Sequence, residues 1–450
     1  MATRRIAPHD DPAAAIRRDA IPITGDARDY DALVDRIGDA RLVLLGEASH
    51  GTHEFYRERA RITRRLIRDH HFTAVAVEGD WPDAYRVNRY VCGHPGDTDA
   101  EEALSGFRRF PTWMWRNADV LDFIGWLRSY NDDAPADRRV GFYGLDLYSL
   151  GASMEAVIGY LDAEDPAAAV RARRRYECLQ PYSGESAEYG QAVLLGVSAS
   201  CRRHVLDQLI DLRRRAADYL RHDGPAAEDA YFAAEQNAAL VGDAEEYYRT
   251  MLGDAVNSWN LRDRHMAETL DQLMAHLDRH GDGARIVVWE HNSHIGDARA
   301  TQMGERGELN LGQLMRERHP RDAVLVGFTT YDGTVTAASS WGAPARRMRV
   351  RPAMAGSYEA VLHEAGMPAF MLCPLAAGAA GAALDDARLE RAIGVIYRPE
   401  TERQSHMFAS RITRQFDAVI HIDRTRAVEP LERGPGWDLH EPPETYPSAL

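Results

Sequence analysis

Leu42-Val43-Leu44-Leu45-Gly46-Glu47-Ala48-Ser49-His50-Gly51 decides how this chain is read. The apolar run is short and hydrophobic on both faces, the pattern of a buried strand, and Gly46 ends it. A carboxylate and an imidazole three residues apart then stand beyond the strand's carboxyl end. Open α/β sheets place their ligands there, so Glu47 and His50 form a candidate acid/base pair.

Working outward, short apolar runs lie at 41–45, 73–77, 140–145, 286–289, 323–328, 369–373, 394–397 and 418–422, with helical stretches between them. This alternation predicts an α/β fold with a largely parallel central sheet flanked by helices. Residues 53–68 set Phe55, Ala60, Ile62, Leu66 and Ile67 against a face of arginines, an amphipathic helix that packs on the sheet. A second helix, 118–130, crowds Val120, Phe123, Ile124 and Leu127 onto one broad face. Between the third and fourth strands, 153–277 shows repeated helical patterns and no strand pattern. It reads as a helical insertion within a single domain spanning 1–450, of the kind that covers a site or shapes access to it. The Ala/Gly-rich stretch 376–384 reads as a flexible loop, and the tail after Val428, with five prolines, as an extended surface segment.

Composition narrows the function. The chain has 450 residues, 45% hydrophobic and 27% charged, enough for one large core. Its net charge of −15 argues against a nucleic-acid partner, since neutralising phosphates needs a basic surface. All 54 basic residues are arginines; without lysine there is neither Schiff-base chemistry nor a P-loop lysine. No apolar segment reaches the roughly 20 residues that span a bilayer. The polar N-terminus, with Asp10, Asp11, Arg17 and Arg18, does not read as a signal peptide, so a cytoplasmic protein without a membrane partner is expected. Cys92, Cys178, Cys201 and Cys373 are scattered and read as four small thiols, with neither a zinc ribbon nor a disulfide framework.

Other strands end in the same chemistry. The second runs into Glu78-Gly79-Asp80-Trp81, the third into Asp146, and the fourth into Glu290-His291-Asn292-Ser293-His294. In a parallel sheet these ends share one edge, so several strands deliver carboxylates and imidazoles to one rim. Singly, each has a plainer role: Glu47 or Asp146 can cap a helix, and a lone loop histidine is commonly just hydrogen-bonded. Arg59, nine residues after His50, can pair with Glu47 or Glu78, bind an oxyanion, or face solvent beside Arg57, Arg61, Arg64 and Arg65.

Gly46-Glu47-Ala48-Ser49-His50, Glu54-Phe55 with Arg59, Val77-Glu78, Gly144-Leu145-Asp146, Asn260 with Arg262-Asp263 and Met266-Ala267, and His291-Asn292-Ser293-His294 occur in an order that resembles the erythromycin esterase family. The resemblance implies opening of the macrolactone ring of a macrolide antibiotic by histidine-activated water, with no metal or other cofactor. It makes His50 the base with Glu47 beside it, and matches Arg59, Glu78, His291 and His294 to the remaining positions around the cleft. The runs 78–90 and 110–115 are more similar to the family's large environmental branch, whose members need not hydrolyse macrolides. The partner expected is therefore a small-molecule ester or lactone. Trp81, Trp113, Trp115 and Tyr148, with Asp146, are candidates for a pocket that binds a bulky substrate.

Three rivals stay open at this stage. Glu47, His50, Glu78, His291 and His294 could hold zinc or manganese in a metal-dependent hydrolase, although no H-E-x-x-H helix is present. A serine hydrolase would need Ser49, but G-x-S-x-G is missing. A non-enzymatic accessory of polysaccharide biosynthesis would keep the fold, with the rim histidines buried and hydrogen-bonded to core groups and no open cleft. Residues 404–408, Gln-Ser-His-Met-Phe, are read as structural.

Overall fold

The apolar runs become the core strands of one sheet. The structure is a computed structural model that describes residues 11–433 apart from 185, 221–223, 254, 280 and 282. Its strands are β1 (Ile21–Pro22), β2 (Leu42–Leu45), β3 (Ala74–Asp80), β4 (Gly141–Asp146), β5 (Ile286–Trp289), β6 (Ala323–Ala337), β7 (Arg346–Val350), β8 (Ala369–Leu372), β9 (Arg388–Arg391), β10 (Met407–Ser410) and β11 (Ala418–Thr425). The main sheet runs β1-β8-β11-β6-β2-β5-β3-β4, with β7 folded back on β6, while β9 and β10 form a separate antiparallel pair. From β11 to β4 every neighbouring pair is parallel; β8 and β1 are added antiparallel at one end.

Side chains divide between the two faces with the strand period of two. Leu42, Leu44, Ala76 and Val288 point into one core and Val43, Leu45, Val77 and Trp289 into the other. The second core lies under the helices His53–His70, Trp81–Val91 and Ala118–Asp133. From β4 to β5 the chain is helical, from Leu150–Glu164 through Ala255–Leu277, and packs over the first core. Among the described residues no helix is long and apolar enough to cross a membrane.

Several expectations need correction. Residues 394–397 are not a strand: Ile393 and Ile396 touch Ser49 and Ala338 only through isolated bridges, and Tyr397 is buried with its hydroxyl donating to Glu402 Oε1 at 3.0 Å. The paired strands nearby, β9 and β10, escape a hydropathy reading because Arg-Leu-Glu-Arg is largely charged, yet Glu390 and Arg391 are buried with polar partners. The stretch 376–384 contains a helix, Gly378–Leu384, which packs closely on Pro12–Asp19 with Asp19 accepting from the Ala380 amide at 2.8 Å. Its small residues serve close approach: a Cβ on Gly381 would lie 2.5 Å from the Ala376 carbonyl carbon. Cys178 and Cys201 are paired, their Cα atoms 6.2 Å apart, while Cys92 and Cys373 stay free. A 23-residue separation inside a helical layer carries no sequence signature of pairing. The readings of residues 1–10 and of the tail beyond 433 lie outside the described residues.

Candidate active site

Four neighbouring strands, β2, β5, β3 and β4, release their chains at the same edge. Register fixes the alignment: Leu45 lies beside Trp289, Trp289 beside Val77, and Asp80 beside Asp146. The polar ends that follow therefore meet in space, around a cleft of about 700 Å³.

The loop after β2 is held tightly. Tyr56 Oη lies 2.7 Å from the His50 carbonyl oxygen and 2.9 Å from that of Met114, and the Thr336 amide of β6 donates to the Gly51 carbonyl at 3.0 Å. Gly51 has no alternative there, since a Cβ would sit 1.9 Å from the Thr336 oxygen. Ser49 Oγ pairs with Thr52 Oγ1, so it is not poised on His50 as a nucleophile.

Glu47 and His50 form a buried relay. His50 Nδ1 lies 2.9 Å from Glu47 Oε1, and Arg59 Nη2 donates to Glu47 Oε2 at 2.8 Å. With its carboxylate serving a guanidinium, Glu47 accepts and His50 Nδ1–H donates, which leaves Nε2 free. That nitrogen lies 3.9 Å from Glu78 Oε1, beyond hydrogen-bond reach. Burial pulls the His50 pKa down, but Glu78 and the Glu47 hydrogen bond outweigh it and the net shift is upward. Arg59 is fully buried behind Glu47, 4.4 Å from the Tyr56 ring centre and 5.2 Å from that of Trp289. It does not border the cleft, which corrects its reading as an oxyanion or solvent-facing group.

Arg262 organises the opposite side. It comes from the helix Ala255–Leu277 and donates to Glu78 Oε1 at 2.7 Å, to Asp146 Oδ1 and Oδ2 at 2.9 and 2.7 Å, and to His294 Nε2 at 3.0 Å. His294 Nδ1 in turn contacts Asp263 at 3.0 Å. Burial alone would raise the Glu78 pKa, but His294, His50, Arg262 and His291 drive it well below the usual carboxylate range. Among the described residues no group of three or more His, Cys, Asp or Glu is arranged to hold a metal ion. The cation that Glu78, Asp146 and His294 share is Arg262.

His291 presents a donor. The Ser293 amide donates to its Nδ1 at 3.2 Å, with Ser293 Oγ 2.8 Å away, so the ring hydrogen belongs on Nε2. That atom is buried without a partner, in a ring centred 4.8 Å from His50. Burial and the neighbouring His50 hold the His291 pKa well below its ordinary value, so the ring is neutral.

Of the residues singled out from sequence, His50, Glu78, Trp115, Asp146, Tyr148, His291 and His294 border the cleft, while Glu47 and Arg59 stand behind His50. Trp81 and Trp113 do not border it. Trp81 lies in the core against Tyr143 and Phe232, and Trp113 is buried among the helices of the second core. Residues 404–408, read as structural, border the cleft together with Trp341, and Trp259 borders it stacked on His294 with ring centres 4.5 Å apart. Arg262 and Asp263 were visible as a sequence motif, but nothing in the chain's local pattern showed that their helix crosses the strand ends.

Together these features define a class: an α/β protein with a charged, histidine-bearing cleft at the carboxyl edge of a parallel sheet. Within it, the chain belongs to the erythromycin esterase family, whose sequence model matches residues 67–425. The matched stretch begins after Glu47, His50 and Arg59, whose roles therefore rest on geometry. Erythromycin esterase type II of Escherichia coli is 24% identical over 69% of this chain and 73% of its own length. A succinoglycan biosynthesis protein has a similar fold, with 21% identity, a TM-score of 0.75, and coverage of 95% of this chain and 100% of that one. A mutant of the erythromycin esterase EreC in its open conformation superposes with a TM-score of 0.64 at 20% identity, over 89% of this chain and 94% of its own.

Proposed function

We propose that this protein hydrolyses a carboxylic ester or lactone, with His50 as general base on water. The observation that carries this reading is the occupation of Nδ1 by Glu47, which leaves a basic Nε2 facing the cleft. Water adds to the ester carbonyl carbon as its proton passes to Nε2, and the carbonyl oxygen becomes an oxyanion. The unpaired His291 Nε2–H is the donor suited to that oxyanion; His294 Nε2 is already taken by Arg262. Collapse breaks the acyl carbon–oxygen bond, and the proton on His50 passes to the leaving alkoxide. The products are an acid and an alcohol, or one hydroxy acid from a lactone. Arg59 holds Glu47, and Arg262 fixes Glu78 and His294, as positioning residues.

The relatives' name makes a macrolide lactone the first substrate to try, and a panel of simpler lactones and esters the second. Mass spectrometry should show addition of one water by the wild type and none by His50→Asn, with both proteins giving the same circular dichroism spectrum. Full turnover by His50→Asn would remove His50 from the mechanism. A non-enzymatic accessory would have buried, hydrogen-bonded rim histidines and no open cleft; the histidines are buried, but all three border a cleft, which supports the catalytic reading over that rival.

A further inference from the structure

Arg262 spends every nitrogen of its guanidinium on Glu78, Asp146 and His294. Guanidinium N–H bonds lie in one plane, so these hydrogen bonds hold the group within that plane and resist tilting out of it only weakly. The face of the Tyr148 ring fills the open direction, with Arg262 Cζ 4.9 Å from the ring centre. The same ring carries Arg109, whose Cζ lies 5.4 Å from its centre and whose Nη1 donates to Asp80 Oδ2 at 3.0 Å. Asp80 and Asp146 are register partners on β3 and β4, so one ring serves the guanidiniums of two neighbouring strand ends. His294 has comparable support from the stacked ring of Trp259.

Tyr148 is itself held from the helical layer. Tyr248 Oη donates to its carbonyl oxygen at 3.0 Å, and Tyr247 meets its ring edge to face, with centres 5.3 Å and hydroxyl oxygens 3.4 Å apart. Both tyrosines belong to the helix Pro225–Thr250, whereas Tyr148 follows β4 directly. Burial drives the Tyr148 hydroxyl well above its ordinary pKa of 10, so the ring stays neutral and keeps the electron-rich face that attracts a cation.

We infer that Tyr148 is a positioning residue of the candidate active site: its ring face sets the tilt of Arg262, and through Arg262 the placing of Glu78 and His294 around His50. The helix Pro225–Thr250 thereby reaches the strand ends through one aromatic ring. This role differs from that of a wall for substrate. Its effect on turnover rests on the hydrolytic reading of His50; its effect on the charge around His50 does not. The groups that face His50 are Glu47 from its own loop, Glu78 from β3, His291 beyond β5 and Arg262 from the helix Ala255–Leu277. Arg262 pushes the His50 pKa down while Glu78 and Glu47 push it up, so a guanidinium free to tilt away leaves His50 titrating at higher pH.

NMR of isotope-labelled histidine rings, with His50→Asn assigning the signal, follows that titration without any substrate. Tyr148→Leu should move it to higher pH, in the direction of Arg262→Gln and by less. On an ester it should also lower kcat by roughly three- to thirtyfold, the range of a cation–π contact out of water, with KM little changed. Pentafluorophenylalanine in place of Tyr148 keeps the shape of the ring and reverses the charge of its face; it should act as leucine does, and it decides the matter where the leucine variant does not fold. Tyr148→Phe keeps the face and should titrate as the wild type does. In the Arg262→Gln background neither ring change should move the titration further. An unmoved titration in the leucine and fluorinated variants, with only KM raised, makes Tyr148 a substrate wall and overturns the inference, as does a shift that persists in the Arg262→Gln background. A shifted titration in a protein that hydrolyses no ester keeps the role of Tyr148 and removes the hydrolase, whereas turnover with an unmoved titration does the opposite.

Discussion

Glu47→Gln takes away the anion that His50 and Arg59 share. Arg59 is fully buried, donates to Glu47 Oε2, leaves Nε and Nη1 unpartnered, and packs on Tyr56 and Trp289. In the variant its charge stands unpaired out of reach of water, and breaking a buried pair from one side costs about 3–5 kcal/mol. Arg59→Met strands Glu47 instead and should cost a similar amount. The double variant removes both charges at nearly constant volume, so its loss should fall short of the sum by about 2–3 kcal/mol. Activity should not return with stability. Without the carboxylate, nothing holds the His50 tautomer that leaves Nε2 basic, and kcat/KM on an ester should drop by about 10²–10⁴ in Glu47→Gln and in the double variant alike. Urea unfolding followed by tryptophan fluorescence, with Trp289 beside Arg59 as one reporter, measures the first quantity, and initial rates the second. Additive stability losses, or a double variant with the wild-type rate, would refute the reasoning.

His50 must be neutral to act as a base, and its pKa is raised above the ordinary 6.5, so kcat/KM should decline as pH falls through a value above 6.5. Arg262 pushes that pKa down, so Arg262→Gln should move the acid limb to higher pH; a wild-type limb below 6.5 would contradict the assignment. Glu290 is buried with both carboxyl oxygens unpartnered, and burial, with Glu78 and Asp263 adding to it, raises its pKa well above 4.5. The folded state keeps it protonated while the unfolded chain ionises it. The resulting cost is absent below 4.5 and grows as pH rises above it, until the folded-state carboxyl itself ionises. Glu290→Met should therefore raise the thermal midpoint near pH 8 and leave it almost unchanged near pH 4, and a pH-independent effect would show that Glu290 is ionised in the fold.

The parallel strands were legible because buried strands between helices read as short apolar runs: β2, β4, β5 and β8 fall within a residue or two of the runs that announce them. Carboxylates and imidazoles at several such ends could be placed on one edge by topology alone. What sequence could not supply was anything fixed by distant contact. β7 and β9 are built from Arg-Arg-Met-Arg-Val and Arg-Leu-Glu-Arg, which show no apolar run, and Glu390 and Arg391 of β9 find their partners only in the folded chain. Trp81 and Trp113 sit beside site residues in sequence and face the core in space, because a side chain's direction depends on the helix turn it occupies. Arg262 lies 116 residues from Asp146 and 184 from Glu78, and no local pattern announces that one guanidinium will serve both.

That guanidinium also decides which parts of the protein evolution is free to resize. It ties the last helix of the layer between β4 and β5 to three strand ends at once, so this helix cannot be shortened or swung away while the pocket survives. The earlier helices of the layer, from Pro166–Tyr176 to Arg202–Arg214, contribute no residue to the cleft and can lengthen, shrink or vary without touching the chemistry. Trp341 and residues 404–408, the latter running from a short helix into β10, border the cleft away from the strand ends, so changes there would reshape the pocket while the strand ends stay as they are.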